Sequence, residues 1–81
     1  RTLGEIKDTT LTMRKTFAEA LYRDPGATLD DLREAVTTLE DTERTARRVL
    51  GSAHPTVRST EMGLQQSRAR LEGYIKYFRV S

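Results

Sequence analysis

The chain has 81 residues, enough for one small domain with a modest hydrophobic core. It has no cysteine, which excludes disulfides and thiolate metal sites, and no apolar stretch approaches the roughly 20 residues that cross a bilayer. Fourteen Lys and Arg residues are interspersed with twelve Asp and Glu, unlike the basic stripe of a nucleic-acid-binding protein. We therefore expect an intracellular protein, in the cytoplasm or an organelle, without a transmembrane segment and without a nucleic-acid partner.

The first predicted helix covers about residues 9–22. An apolar face with helical spacing is formed by Leu11, Phe17, Ala18 and Leu21. The helix is expected to stop at residues 23–26, which contain a Pro-Gly pair. Pro25 disfavours helix at the residue before it and lacks an amide donor, and the glycine tolerates turn dihedral angles.

The second predicted helix, about residues 29–50, is the clearest element of the sequence. Thr28 and Asp31 have the spacing of a capping box at its start. A long apolar stripe runs along it, consisting of Leu32, Ala35, Val36, Leu39, Ala46, Val49 and Leu50, with Thr42 in the gap. Glu40 with Arg44, and Glu43 with Arg47, are i,i+4 pairs in the favourable orientation.

A third helix is predicted over about residues 55–79. Gly51 is placed to end the second helix, and Pro55 suits the first turn of the next one. Four apolar residues then recur every seven positions, namely Val57, Leu64, Leu71 and Phe78. No strand-like alternation interrupts this pattern. The chain is therefore predicted to be a single all-α domain of three antiparallel helices.

An internal repeat appears when the chain is shifted by 47 residues. Leu3-Gly4-Glu5-Ile6-Lys7-Asp8-Thr9 then aligns with Leu50-Gly51-Ser52-Ala53-His54-Pro55-Thr56, sharing Leu, Gly and Thr, and Phe17 aligns with Leu64. The segment from Val49 to Val57, which contains Val-Leu-Gly and then His-Pro, resembles the inter-repeat turn of kinesin-light-chain-type tetratricopeptide repeats (TPR). In addition, Leu32-Arg33-Glu34-Ala35 resembles the start of that family's helix B, and Phe17-Ala18 resembles its large–small pair on helix A.

The resemblance covers about residues 3–71 and implies one TPR-like helical hairpin followed by a long C-terminal capping helix. Residues 22–29 make a longer loop than the family has. Gln65 and Arg68 replace the small and large residues against which a further helix would pack, so they suit a solvent-facing terminal helix. Since about three repeats usually share a core, we expect the chain to end a longer array, to self-associate, or to dock on a partner.

Candidate partner-binding residues follow from the same resemblance, because helix A residues line the concave, peptide-binding surface of TPR arrays. The implied positions are Thr12, Lys15, Glu19 and Tyr22 on the first helix, and Ser59, Met62, Gln66 and Arg70 on the third. From the residues alone, these are polar, exposed helical positions. The C-terminal aromatic residues Tyr74, Tyr77 and Phe78 either cover the first helix pair or form an interface with a partner or a second copy.

Catalytic, cofactor-binding and metal-binding residues are not predicted. His54 is the only histidine, and no cysteine or suitably spaced carboxylate pair accompanies it, so we interpret it as a turn residue before Pro55. No nucleophile elbow or Gly-rich phosphate loop occurs. An arginine-rich patch formed by Arg44, Arg47, Arg48 and Arg58 is either a phosphate site or a salt-bridged surface, and the neighbouring Glu40 and Glu43 favour the second.

Three functions are compatible with this pattern. The favoured one is a TPR-type protein–protein interaction module or scaffold that holds another protein or peptide, a larger complex or a second copy. The alternative is a structural cap or small subunit that stabilises a larger assembly. The third, which the mixed charges disfavour, is a basic helical module on nucleic acid or an anionic membrane surface.

Overall fold

The computed structural model contains three α-helices, α1 (Leu3–Arg23), α2 (Leu29–Leu50) and α3 (Pro55–Val80). It describes the backbone of residues 3–80 and the side chains of residues 8–77. Near the start of both helices, the Thr56 hydroxyl of α3 donates to the Asp8 carboxylate of α1 over 2.6 Å. Tyr22 of α1 contacts Gln66 of α3 farther along, so α1 and α3 run parallel. Helix α2 is antiparallel to both, because Leu32 near its start packs with Tyr22 and Leu64, whereas Ala46 near its end packs with Leu11 and Val57. The all-α prediction is confirmed.

Helix α2 has the bounds predicted from the sequence, and its ends show why. The Thr28 hydroxyl accepts from the Asp31 amide over 3.1 Å, and the Asp31 carboxylate accepts from the Thr28 amide over 3.1 Å. This capping box satisfies two amides that the helix leaves unpaired. At the other end, Gly51 has φ 90° and ψ 149°, and its amide donates to the Arg47 carbonyl over 3.1 Å. A side chain would be strained at this φ, so glycine fits the turn.

The start of α3 is capped by the single histidine. His54 Nδ1 accepts a hydrogen bond from the Thr56 amide over 3.1 Å, and the His54 amide itself donates to the Gly51 carbonyl over 3.1 Å. Pro55 occupies the first helical position, where a missing amide costs nothing. His54 therefore has the structural role expected of a residue in this corner, and its Nδ1 acts as a helix cap.

Helix α1 begins at Leu3, so the predicted start near residue 9 was wrong. The apolar pattern is weak in this segment, which made the start hard to locate. Gly4 lies in the first turn, where amides lack helical partners in any case, so its weak helix preference matters less. The contact from Asp8 to Thr56 also ties this part of α1 to α3, and periodicity along one helix cannot reveal such a contact.

Among the described side chains, two core clusters lie at separate levels along the helices. The loop-end cluster, near residues 24–28, contains Ala18, Tyr22, Ala27, Leu32, Ala35, Leu39 and Leu64. The corner-end cluster, near residues 51–54, contains Leu11, Ala46 and Val57. At the intervening positions, the fully buried Thr42 and Thr60 donate to the carbonyls of Thr38 and Thr56 over 2.6 and 2.7 Å. These polar side chains are satisfied within their own helices, so the helices can pack closely across small residues.

Two details of the predicted surface are wrong. Phe17 was assigned to the apolar face of α1, yet 52% of it is exposed. Neighbouring helical residues point about 100° apart, so burying Ala18 between the helices turns Phe17 outward. Glu40 was assigned to Arg44, but it accepts from Arg68 of α3 over 2.8 Å, because α3 lies beside this face of α2.

Candidate functional site

A surface groove lies at the loop end of the bundle, where α1 ends, α2 begins and α3 passes both. Its volume is about 730 Å³, against 350, 470 and 400 Å³ for three other surface grooves. The groove is lined by Tyr22, Arg23, Leu32, Gln66, Ala69, Arg70, Gly73, Tyr74 and Tyr77. All four volumes fall within the roughly 300–1,000 Å³ of ligand sites, and this groove combines the greatest of the four volumes with aromatic lining residues, so it is the candidate functional site.

Two small residues of α3 create the space in the groove. Ala69 and Gly73 are one helical turn apart, and both are exposed. A Cβ atom added at Gly73 would meet nothing within 4 Å, so the helix surface is open there. Tyr74 packs against the loop-end cluster and is half-buried, while Tyr77 is 72% exposed. Tyr74 therefore covers the core, and Tyr77 forms an accessible wall of the groove.

Tyr22 connects the groove to the core. It was expected to be exposed, but only 2% of it is. Tyr22 follows Leu11 and Ala18 at helical spacing, so its ring enters the core while its hydroxyl donates to Gln66 Oε1 over 2.9 Å. A Cβ added at Gly63 would lie 3.7 Å from that hydroxyl oxygen, an ordinary contact distance. Tyr22 thus fixes the position of Gln66 and offers little surface to a ligand.

The polar groups of the groove are cationic or neutral. The Arg23 guanidinium lies 5.8 Å from the centroid of the Tyr22 ring and 3.5 Å from the Glu19 carboxylate. Arg70 Nη2 makes a long contact of 3.4 Å to the Asp24 carbonyl. None of the described residues that line the groove carries a carboxylate. The groove therefore combines aromatic surface with two guanidinium groups, a combination suited to a carboxylate beside an apolar side chain.

The structure brings together five of the predicted binding residues, Tyr22, Gln66, Arg70, Tyr74 and Tyr77. Five others lie along the same two helices outside the groove: Thr12, Lys15, Glu19, Ser59 and Met62. Among these, Lys15 and Glu19 are half-buried rather than exposed, because they pair with each other over 3.4 Å beside the core. The side chain of Phe78 lies outside the described residues.

Sequence reasoning missed four groove residues, Arg23, Leu32, Ala69 and Gly73. Small residues at i and i+4 on an exposed helix face were the available signal for Ala69 and Gly73. Arg23 was interpreted as part of the helix stop, and Leu32 as part of the core stripe and of the start of helix B. Arg23 and Leu32 line the groove because α3 crosses the end of the α1–α2 hairpin beside them.

Within the arginine-rich patch, Arg47 forms salt bridges with Glu43 of α2 and Glu61 of α3. Arg47 Nε donates to Glu43 over 2.8 Å, and Arg47 Nη2 also reaches Glu61 of α3 over 3.2 Å. The hydrogen bond and charge of Glu43 raise the pKa of Arg47 above its usual value. Within residues 8–77, no group of three or more His, Asp or Glu side chains is placed to hold a metal ion.

No helix in the described part of the chain is both long enough and apolar enough to pass through a bilayer. Comparison with known proteins finds no matching family model, no matching curated protein and no matching solved structure.

Proposed function

We propose that the chain is a protein–protein interaction module of TPR type, with no catalysis, whose groove holds a peptide segment of another protein. The main support for this proposal is that Arg23, Arg70 and Tyr77 line one groove, and that none of its described lining residues carries a carboxylate. An acidic side chain or terminal carboxylate would pair with a guanidinium, while an adjacent apolar side chain would cover the exposed Tyr77 ring.

The resemblance to the TPR family supports a peptide as the ligand. In the proposed arrangement α1 and α3 are the two A-type helices, and both line the groove through Tyr22, Gln66 and Arg70. Since α1 and α3 run parallel, a peptide can follow the line between them toward Lys15 and Met62. The groove then provides specificity at one end of a longer contact.

The experiment is selection of random peptides displayed on phage against the 81-residue chain, followed by fluorescence anisotropy of the selected peptides. We expect sequences that combine an acidic with an apolar residue. Because a hydrogen bond to a charged group contributes about 1.5–3 kcal/mol, Arg70→Ala should weaken binding roughly 10- to 150-fold. Tyr77→Ala should weaken it as well, through lost aromatic contact.

The matched control is Arg58→Ala, which removes an exposed arginine from the same helix about 18 Å from Arg70 along the axis. It should leave peptide affinity unchanged. Equal loss with Arg58→Ala and Arg70→Ala would show that net charge rather than the groove attracts the peptide. Selection of peptides that ignore Arg70 and Tyr77 would reject the groove.

A structural cap is the second candidate function. Gln65 and Arg68 are exposed on α3, and Arg68 is engaged with Glu40 of α2, so this face offers no apolar surface to another helix. A cap without a ligand of its own predicts that the selection yields no peptide dependent on Arg70. The same experiment therefore separates the two functions.

A further inference from the structure

The outward face of α2 carries a regular row of polar side chains. They recur at intervals of four, three, four, three and four residues, a spacing that keeps them on one side of the helix. All of them are exposed, because the buried residues of α2 lie on the opposite side. We call this row the α2 stripe, and it consists of Asp30, Glu34, Thr37, Asp41, Arg44 and Arg48.

The two ends of the α2 stripe carry opposite charges. Asp30 and Glu34 lie toward the start of α2, and Arg44 and Arg48 lie toward its end. Within residues 8–77, these four charged groups form no ion pair with one another or with any other side chain. The helix dipole accounts for Asp30 in the first turn and Arg48 in the last. It does not account for Glu34 and Arg44, which lie farther inside the helix.

The α2 stripe is complementary to its own reverse. Its residues form pairs that are equally distant from Leu39 along the helix: Asp30 with Arg48 at nine positions, Glu34 with Arg44 at five, and Thr37 with Asp41 at two. Two copies of α2 that lie antiparallel, with Leu39 at one level, therefore place each unpaired charge beside its opposite. In the middle, the Thr37 hydroxyl can donate to the Asp41 carboxylate of the second copy.

The shape of the surface suits such a contact. A groove of about 470 Å³ lies over the middle of the α2 stripe, and Thr37, Asp41 and Arg44 are among its lining residues. Arg14 of α1 also lines it and lies 3.7 Å from the Asp41 carboxylate, which positions that carboxylate at the centre. Because Thr37 is small, a second helix can approach here while the longer charged side chains meet on either side.

We propose that the α2 stripe is a self-association surface, on which a second copy of this chain binds antiparallel through its own α2. A polyanion would be repelled by Asp30 and Glu34, and a polycation by Arg44 and Arg48. A second copy presents both charges in the required order, and two-fold symmetry forms each contact twice. This pairing neither extends the row of helices nor uses the peptide groove.

The pairing is weak and dependent on salt, because exposed ion pairs each contribute little and are screened by ions. The test is sedimentation equilibrium of the 81-residue chain, of Glu34→Lys and of Arg44→Glu, at about 20 mM and about 300 mM NaCl. The parent chain should form dimers more tightly at the lower salt concentration. Each variant alone sets like charges against each other, which should raise the dimer Kd at least about tenfold.

An equimolar mixture of the two variants is the decisive sample. In a mixed dimer the introduced lysine lies opposite the introduced glutamate, and Arg44 of one copy lies opposite Glu34 of the other. The mixture should therefore dimerise about as tightly as the parent chain. No dimer of the parent at low salt, or no dimer in the mixture, would overturn the proposal.

Glu72→Lys and Arg58→Glu are the matched controls, because they make the same changes of net charge at exposed positions of α3. Both should dimerise like the parent chain, and circular dichroism should show unchanged helix content in all variants. Equal losses in the controls and in the stripe variants would assign the association to net charge. Dimers that persist in both stripe variants and at high salt would assign it to another surface. Either result would also overturn the proposal.

Discussion

The same substitution, glycine to alanine, is expected to have opposite effects at Gly51 and Gly73. Gly51 has φ 90° and ψ 149°, a conformation that L-residues rarely adopt. A side chain there costs about 1–3 kcal/mol, while the smaller entropy of unfolded alanine offsets about 0.4–1 kcal/mol. We therefore expect Gly51→Ala to lower the free energy of unfolding by about 1–2 kcal/mol.

Gly73 lies inside α3, and a Cβ atom there meets nothing within 4 Å. Because glycine is less favourable than alanine in a helix interior by about 0.8–1.0 kcal/mol, Gly73→Ala should stabilise the fold by that amount. The two variants then differ by about 2–3 kcal/mol, or roughly 8–24 °C in Tm for a domain of this size. The added methyl group also enters the groove, so it should weaken binding of a selected peptide.

Thermal unfolding followed by circular dichroism at 222 nm, a general helix signal, measures both variants against the parent chain. The parent and the two variants should share one helical content at low temperature. Shifts of the same sign would mean that the backbone angle at Gly51 does not determine the effect of a side chain there. A destabilised Gly73→Ala would show that α3 is not a continuous helix through the groove.

Two further predictions concern the cap and the core. His54→Ala should lower the free energy of unfolding, measured in urea, by about 0.5–2 kcal/mol. His54→Asn should keep most of the parent stability, because asparagine also caps helices. Equal losses of stability in the two variants would exclude the cap. Thr42→Val should leave the free energy of unfolding nearly unchanged, because the Thr42 hydroxyl bonds within its own helix. Leu39→Ala should lower the free energy of unfolding by about 2–5 kcal/mol. An equally large loss for Thr42→Val would mean that the buried hydroxyl holds the helices together.

The fold could be predicted where its causes are local in sequence. The Thr28–Asp31 capping box and the corner at Gly51 each depend on residues within a few positions of each other, so the amino-acid pattern alone indicates both. The start of α1 and the direction of Phe17 depend on which helix lies alongside. Nothing in the period of a single helix determines that, so these two features were predicted incorrectly.

The candidate site was predictable to a smaller extent for the same reason. Gln66 and Arg70 were assigned from the aligned helices, and the structure places them in one groove with Tyr77. Tyr22 was assigned as an exposed position but lies in the core, because its ring points between the helices. The space made by Ala69 and Gly73 requires knowing that α3 extends past the α1–α2 loop.

The uneven division of the core determines where the bundle resists opening. Among the side chains of residues 8–77, seven buried residues form the loop-end cluster and three form the corner-end cluster. Local unfolding should therefore start at the corner, and amide hydrogens in the first turns of α3 should exchange with solvent sooner than those near Leu64. The groove adjoins the loop-end cluster and shares Tyr22 and Leu32 with it, so this cluster fixes the backbone on which the groove walls stand. Most of the conformational entropy lost on binding would then be lost by the ligand rather than by the groove.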